Sequence, residues 1–420
     1  MTADPSSEPT PTLSRRGLIV AAGGLAAGAA LAAGPRAAAA QEAAGEVVRG
    51  EDPPNRLVGR PAEVENELPQ PDARKVGWAV AGLGNFATSY QIPALGRART
   101  SKLAGLVSGN RDKALEIARR TGVAEGSVYS YETFDQIRDD PEVDVVYVVT
   151  PNSLHRDLVV RAFEAGKHVM VEKPMGVSAQ DCLDMIAARD AAGKKLMVAY
   201  RAHFEPMNLE AARRIAAGEL GEISFAASDH HRPLVPSDPK DQWRMKRDLA
   251  GGGSFTDIGI YSLNGVIWFM GESPSALSAA TDSPAGDERF AEVEAVCTVQ
   301  LRFPSGRLAS LSSGYVADTK RIDVFGSEAV ATLDPATEYM GNRLMLRTAE
   351  GSEEVRSEFG CQVQFDREID HLSRAILEGT EVLAPGEMGL RDCRLIEQVY
   401  RSAGEGGRWI ELDPDGTAKG

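Results

Sequence analysis

Asp257 and Tyr261 stand four residues apart just after a glycine run, in Gly251-Gly252-Gly253-Ser254-Phe255-Thr256-Asp257-Ile258-Gly259-Ile260-Tyr261. On a helix that spacing sets a carboxylate and a phenol on one face. An ammonium, Lys173, stands in Glu172-Lys173-Pro174. Together these are parts for moving a proton. A phenol titrates at about 10 when unperturbed, and a nearby cation favours its phenolate. Plainer readings stand beside this one. Ser254-x-x-Asp257 is also a capping box; Tyr261 is also a core aromatic near Trp268, and Lys173 one more surface lysine. Two further polar runs are Thr150-Pro151-Asn152-Ser153-Leu154-His155 and Tyr200-Arg201-Ala202-His203-Phe204. Asn152 alone reads as a helix N-cap, and His203 alone as a satisfied pocket histidine.

The elements that would position these groups are legible. Val76 to Ala81 reads as a buried strand running into Gly82-Leu83-Gly84-Asn85-Phe86-Ala87. That is the G-x-G-x-x-A dinucleotide fingerprint. Gly82 permits the tight turn, Gly84 lets backbone approach a pyrophosphate, and Ala87 lets helix pack on strand. Strands are expected at 103–107, 144–150, 168–171 and 196–199, with a helix at 112–120, so the fold class is α/β with a parallel, doubly wound sheet. Each polar run then follows a strand end, where ligands of such sheets collect. An NAD site usually has an acid at the end of the second strand. Here Ser108 stands there, followed by Gly109-Asn110-Arg111-Asp112-Lys113. Without that acid nothing repels a 2′-phosphate, and Arg111 and Lys113 would neutralise one, so NADP is expected. The alternative keeps Asp112 as the ribose acid and leaves Arg111 and Lys113 on a solvated face.

Past residue 200 a second α/β domain with a large open sheet is expected. Candidate strands are 298–303 and 308–313 around Pro304-Ser305-Gly306, then 322–325 and 330–333. Helical patterns at 365–377 and 390–402 follow.

The 420 residues are 43% hydrophobic and 25% charged, with a net charge of −15. That charge disfavours nucleic acid and anionic membrane surfaces as partners. Cys182, Cys297, Cys361 and Cys393 form no C-x-x-C, and the histidines no H-x-H, so no metal site or disulfide framework is expected. Residues 1–40 read as a twin-arginine export signal: Arg15-Arg16, a short glycine-broken apolar run, and Ala38-Ala39-Ala40. The expected location is the periplasm, with no membrane contact after cleavage. Residues 41–74, rich in proline and charge, read as an arm unable to fold alone. The expected units are thus 1–40, 41–74, a Rossmann domain at 75–200 and a substrate domain at 201–420.

The fingerprint, P-N-S-L-H, G-K-H-V-M-V-E-K-P, Y-R-A-H-F-E-P-M-N, D-Q-W-R-M-K-R-D-L-A-G-G-G-S and D-I-G-I-Y-S-L-N-G together resemble the glucose–fructose oxidoreductases of the Gfo/Idh/MocA family. The resemblance covers about residues 76 to 410, the twin-arginine signal and the proline-rich arm. It implies a mostly antiparallel C-terminal sheet and a homotetramer or homodimer built on it. It also implies tightly bound NADP and ping-pong hydride transfer, with an aldose such as glucose oxidised and a second sugar such as fructose reduced. Tyr261 would be the acid/base, Lys173 the cation that tunes it, and Asp257 the residue that positions them. Gly82, Leu83, Gly84, Asn85, Phe86, Ser108, Asn110, Arg111, Lys113, Pro151, Asn152, His155, Glu172, Lys173 and Arg201 would face the cofactor. Arg201, His203, Trp243, Arg244, Asp257 and Tyr261 would face the sugar; His230, His231 and Trp243-Arg244 are candidates to shape which sugar is taken, although His230-His231 lies in a stretch that departs from the pattern. Rival readings are a sugar or polyol dehydrogenase with exchangeable cofactor, an NAD-dependent glycosidase, and a regulator without catalysis.

Overall fold

The computed structural model describes residues 74–356 and 364–419. The expected signal and arm therefore lie outside the described residues, Arg74 apart. Val76–Ala81 (β1) and Val145–Val148 (β4) are buried at every position, as runs of apolar residues are when both faces of a strand are covered. β1 pairs in parallel with Ser101–Val107 (β2) and with β4. Val128–Tyr129 (β3) adds beyond β2; His168–Glu172 (β5) and Leu196–Ala199 (β6) add beyond β4. The order is β3-β2-β1-β4-β5-β6, the Rossmann sheet expected from the sequence. Winding reverses between β1 and β4, so the crevice for a ligand lies at the C-terminal ends of these strands. Gly82, Ser108, Thr150, Lys173 and Arg201 all lie within two residues of those ends, which puts them on one edge.

A π turn at Ala87–Gln91 leads from the fingerprint into Ile92–Arg97 (α1). Arg111–Thr121 (α2) is capped by Asn110, whose side chain accepts from the Lys113 N–H, and is closed by left-handed Gly122. His155–Glu164 (α3) and Ala179–Ala192 (α4) complete the layer. Gly82 has φ 101°, and a Cβ there would lie 2.5 Å from the Val149 carbonyl, so both the turn and the close approach require glycine.

Pro206–Ala216 (α5) leads into the second sheet. Its strands are Ile223–His231 (β7), Ala276–Asp282 (β8), Val296–Arg302 (β9), Leu308–Gly314 (β10), Thr319–Gly326 (β11), Val330–Leu333 (β12), Leu344–Thr348 (β13), Gly351–Val355 (β14) and Ile410–Glu411 (β15). They run in the order β14-β13-β12-β11-β7-β10-β9-β8-β15, antiparallel except for the β7–β10 pair. Ile260–Met270 (α6) packs across β7, β10 and β11. Gln364–Glu378 (α7) and Gly386–Gly404 (α8) close the chain. These two helices return to the Rossmann sheet. Asp370 on α7 accepts from the Arg99 and Thr100 N–H groups, Trp78 Nε1 donates to Ser373, and Val198 N–H donates to the Ala384 carbonyl. Chain segments from beyond residue 201 thus complete the packing of 75–200. Among the described residues no helix is long and apolar enough to cross a membrane. None of their side chains form a group of three or more metal ligands.

Candidate active site

The loop that delivers Asp257 is bolted at its base. Buried Glu294 accepts from the Gly253 and Phe255 N–H groups, both at 2.9 Å, and from the Tyr400 hydroxyl at 3.0 Å. A Cβ on Gly253 would lie 2.3 Å from the Glu294 carbonyl. The chain then makes a π turn at Phe255–Gly259 before α6 begins. Ser254 pairs with Ser313 and caps nothing, so the capping-box reading of Asp257 does not hold. The buried Asp257 carboxylate instead meets Arg244 Nε at 2.9 Å, Arg232 at 3.4 Å, the Tyr315 hydroxyl at 3.2 Å and Lys173 Nζ at 3.6 Å. Lys173 also donates to the Asp257 backbone carbonyl. Despite complete desolvation, the cations Arg244, Lys173 and Arg232 hold this carboxyl far below its usual range, so it stays ionised.

Tyr261, at the start of α6, lies beside this cluster. Lys173 Nζ is 4.8 Å from its ring centroid. Arg201 Nε donates to its hydroxyl at 3.1 Å, with the guanidinium carbon 4.7 Å from the same centroid. Burial raises the phenol to about 12, against the lowering by Arg201. The tuning role expected of Lys173 is therefore divided. Arg201 holds the phenol oxygen, while Lys173 lies over the ring and is tied to Asp257. Burial lowers the Lys173 pKa, opposed by Asp257 and Glu172. Arg201 is itself fixed, donating to Gln364 Oε1 and to the Thr337 carbonyl, both at 2.7 Å.

Several expected residues take other places. His155 is completely buried, with Nε2 at 3.0 Å from the Thr150 carbonyl and Nδ1 at 3.1 Å from that of Pro174. It braces the two strand-end loops from behind and does not line a pocket, because its ring is enclosed by backbone. His203 lies in the core. It is buried against Trp268, with ring centroids 4.3 Å apart, and Nε2 is bonded to Asn264; burial lowers it to about 4. The plain core reading applies. Asn152 caps no helix; its amide donates to the Ala250 carbonyl at 2.8 Å and ties the loop holding Pro151 to the glycine run. Arg244 stacks on Trp243 at 4.3 Å while reaching Asp257. Glu172 accepts from the Tyr147 hydroxyl, and burial raises its pKa.

On the nucleotide side, Gly84 and Asn85 are exposed, and nothing lies within 4 Å of where a Gly84 Cβ would stand. That open backbone fits a pyrophosphate. Leu83 is buried, and its carbonyl accepts from Lys113 Nζ. Phe86 packs into an aromatic cluster with Tyr90, Tyr339 and Phe365. Ser108 directly follows β2 and accepts from the Asn110 N–H at 3.1 Å. Arg111 is largely exposed, reaching the Val128 carbonyl. Asp112 is exposed in the first turn of α2. A serine at the strand end with two cations beside it fits a 2′-phosphate.

Sequence reasoning left out Arg232, Tyr315, Thr337 and Gln364. Arg232 and Tyr315 directly follow β7 and β10, Thr337 lies in the loop after β12, and Gln364 begins α7, all outside the motifs. Arg232 had one signal, its place directly after His230-His231 in the departing stretch.

Two family models match: an oxidoreductase family with NAD-binding Rossmann fold over residues 76–200, and the Gfo/Idh/MocA C-terminal domain over residues 208–332. A D-xylose 1-dehydrogenase [NADP(+)] of Haloarcula marismortui is 32% identical over 331 residues, 78% of this chain and 91% of the relative. The chain belongs to the Gfo/Idh/MocA family. This Gfo/Idh/MocA protein is also similar to the solved aldose-aldose oxidoreductase of Caulobacter crescentus complexed with glycerol. The TM-score is 0.78 at 44% identity, covering 81% of this chain and all of that one. An inositol 2-dehydrogenase of Rhizobium meliloti is 27% identical over 332 residues, 74% of this chain and 96% of the relative. The family is one of NAD(P)-dependent sugar oxidoreductases, and the Rossmann domain here is its nucleotide-binding part.

Proposed function

We propose that this protein oxidises an aldose to its lactone and reduces a second sugar, using one NADP that stays bound between the two half-reactions. The observation that carries the reading is the Tyr261 phenol, held by Arg201 and overlain by Lys173 at the C-terminal edge of the Rossmann sheet. When bound, the nicotinamide accepts and returns the hydride. The chain's own residues handle the proton. Tyr261 takes it from the anomeric hydroxyl in one half-reaction and gives it back to a carbonyl oxygen in the other. A phenol near 12 is almost wholly protonated at neutral pH, so in the oxidation half-reaction its own proton must first pass to solvent, and only the small phenolate fraction takes the proton of the anomeric hydroxyl. Arg201 steadies the charge that develops on the phenol oxygen, and Lys173 adds a second cation beside it. Asp257, ionised and fixed by Arg244 and Arg232, orients Lys173.

Ser108, Arg111 and Lys113 support NADP over NAD. The twin-arginine signal supports export to the periplasm, where an exchangeable pool of nucleotide is not at hand. The 41–74 arm would cover the nucleotide and slow its release, and the mostly antiparallel sheet would carry a homotetramer or homodimer. A second reading, a dehydrogenase with exchangeable NADP, is favoured by the similarity to D-xylose 1-dehydrogenase [NADP(+)]. The test is turnover of sugar pairs, glucose with fructose and pairs of aldoses, by purified protein with no nucleotide added. Turnover supports the bound-cofactor reading. A strict requirement for added NADP overturns it in favour of the second.

A further inference from the structure

His230, on β7, is absorbed by none of the roles above. Its ring stacks on Tyr261, with centroids 4.8 Å apart and planes 22° apart. Nδ1 lies 3.1 Å from the Thr337 hydroxyl, and the Thr337 carbonyl in turn accepts from Arg201. Imidazole, phenol and guanidinium are thus linked as one unit. Nε2 has no hydrogen-bond partner among the described residues. It is not sealed either: the buried atoms left unpaired include Nδ1 of His203 and of His231, but not this nitrogen. One polar atom beside the reacting phenol therefore remains open for a ligand. Burial, together with the neighbouring Arg201, Lys320 and Lys173, holds the ring well below its ordinary value, so it is neutral. A neutral imidazole has one donor and one acceptor nitrogen. With Nδ1 engaged by a hydroxyl that can play either part, Nε2 takes the complementary part. A sugar hydroxyl, both donor and acceptor, satisfies either tautomer. Ammonium and carboxylate ligands each satisfy only one.

We propose that His230 is a specificity-determining residue of the Tyr261 site, offering Nε2 to one ring hydroxyl of the sugar while its face packs on the phenol. This rests on the sugar-oxidoreductase reading above. A site built to bond a hydroxyl rejects the analogue that lacks it, because its own polar group is then left unpaired. The test compares wild type, His230→Phe and His230→Asn on the parent aldose and its monodeoxy derivatives, reading kcat and KM separately. Phenylalanine keeps a stacking ring and removes the nitrogen; asparagine keeps a polar group and removes the ring. In wild type, one monodeoxy sugar should lose about tenfold or more in kcat/KM. In His230→Phe the parent sugar should lose about as much, chiefly in KM, and that same deoxy sugar should lose little further. His230→Asn should restore part of the discrimination. A penalty equal for all sugars, or none, in an active wild-type background overturns this inference alone. A wild type inactive on every aldose overturns the function reading and this inference with it.

Discussion

Tyr261 is held by groups that pull its acidity in opposite directions, and the net result decides how it can work. Burial wins, leaving the phenol at about 12, while Arg201 at 3.1 Å opposes it. In the oxidation half-reaction the phenol must lose its proton, so that rate should climb with pH between 7 and 10. In the reduction half-reaction the protonated form is the donor and is already complete there, so that rate should stay flat. Stopped-flow measurement of each half-reaction separates the two. Tyr261→Phe should reduce both by about 10²–10⁴-fold, the usual weight of a general acid/base, with nucleotide binding intact; a near wild-type single-turnover rate contradicts the assignment. Asp257 makes a different kind of prediction. It compensates Lys173, Arg232 and Arg244 in a largely buried cluster. Asp257→Asn leaves those cations facing one another and should cost about 3–5 kcal/mol, as breaking a buried ion pair does. Urea unfolding followed by circular dichroism would read that loss as a fall in midpoint.

At the scale of elements, the turn Gly251–Gly253 and the end of β2 carry the sharpest consequences. A Cβ on Gly253 would strike the carbonyl and carboxylate of Glu294 at 2.3 and 2.5 Å. Gly253→Ala should therefore cost about 1–3 kcal/mol and lower kcat by shifting Asp257, as measured by thermal unfolding beside steady-state kinetics. Ser108→Asp restores the carboxylate that NAD sites carry and should weaken NADP binding by at least about tenfold while sparing NAD; titration of the nucleotide-free variant would show it. Sequence and structure meet most closely here. β1, β4 and β6 were legible because doubly covered strands are apolar at nearly every position. β9 and β10 were legible from the Pro304-Ser305-Gly306 turn between them. β7 was not. Its burial alternates from Ala226 to His231, but two of the three buried positions are polar Ser228 and His230, so no period of two stands out in the sequence. The Asp257–Tyr261 spacing was read as one helix face, but Asp257 lies in a π turn and only Tyr261 in the helix that follows. His155 and His203 misled because a histidine in a strand-end motif looks the same whether it faces a pocket or braces backbone. Arg201 was placed at the site, but its bond to the phenol depends on Thr337 and Gln364, which no local pattern connects to it.

At the scale of the whole molecule, residues of both sheets and of the closing helices converge on one phenol. Lys173 and Arg201 come from the Rossmann strand ends, His230 from the second sheet, and Gln364 from the helix that returns to pack on the first. Retention of the nucleotide is the consequence of the bound-cofactor reading that can be checked on the whole molecule. Purified protein is therefore expected to retain stoichiometric NADP through prolonged dialysis, as read by mass spectrometry of the native protein. The central claim is that one bound nucleotide passes hydride from the first sugar to the second. The most direct measurement follows deuterium from C1-labelled glucose into the reduced product, in the presence of excess unlabelled NADPH. The account predicts that the label arrives undiluted. Label lost to the added nucleotide, with product carrying hydrogen from the pool, would contradict it.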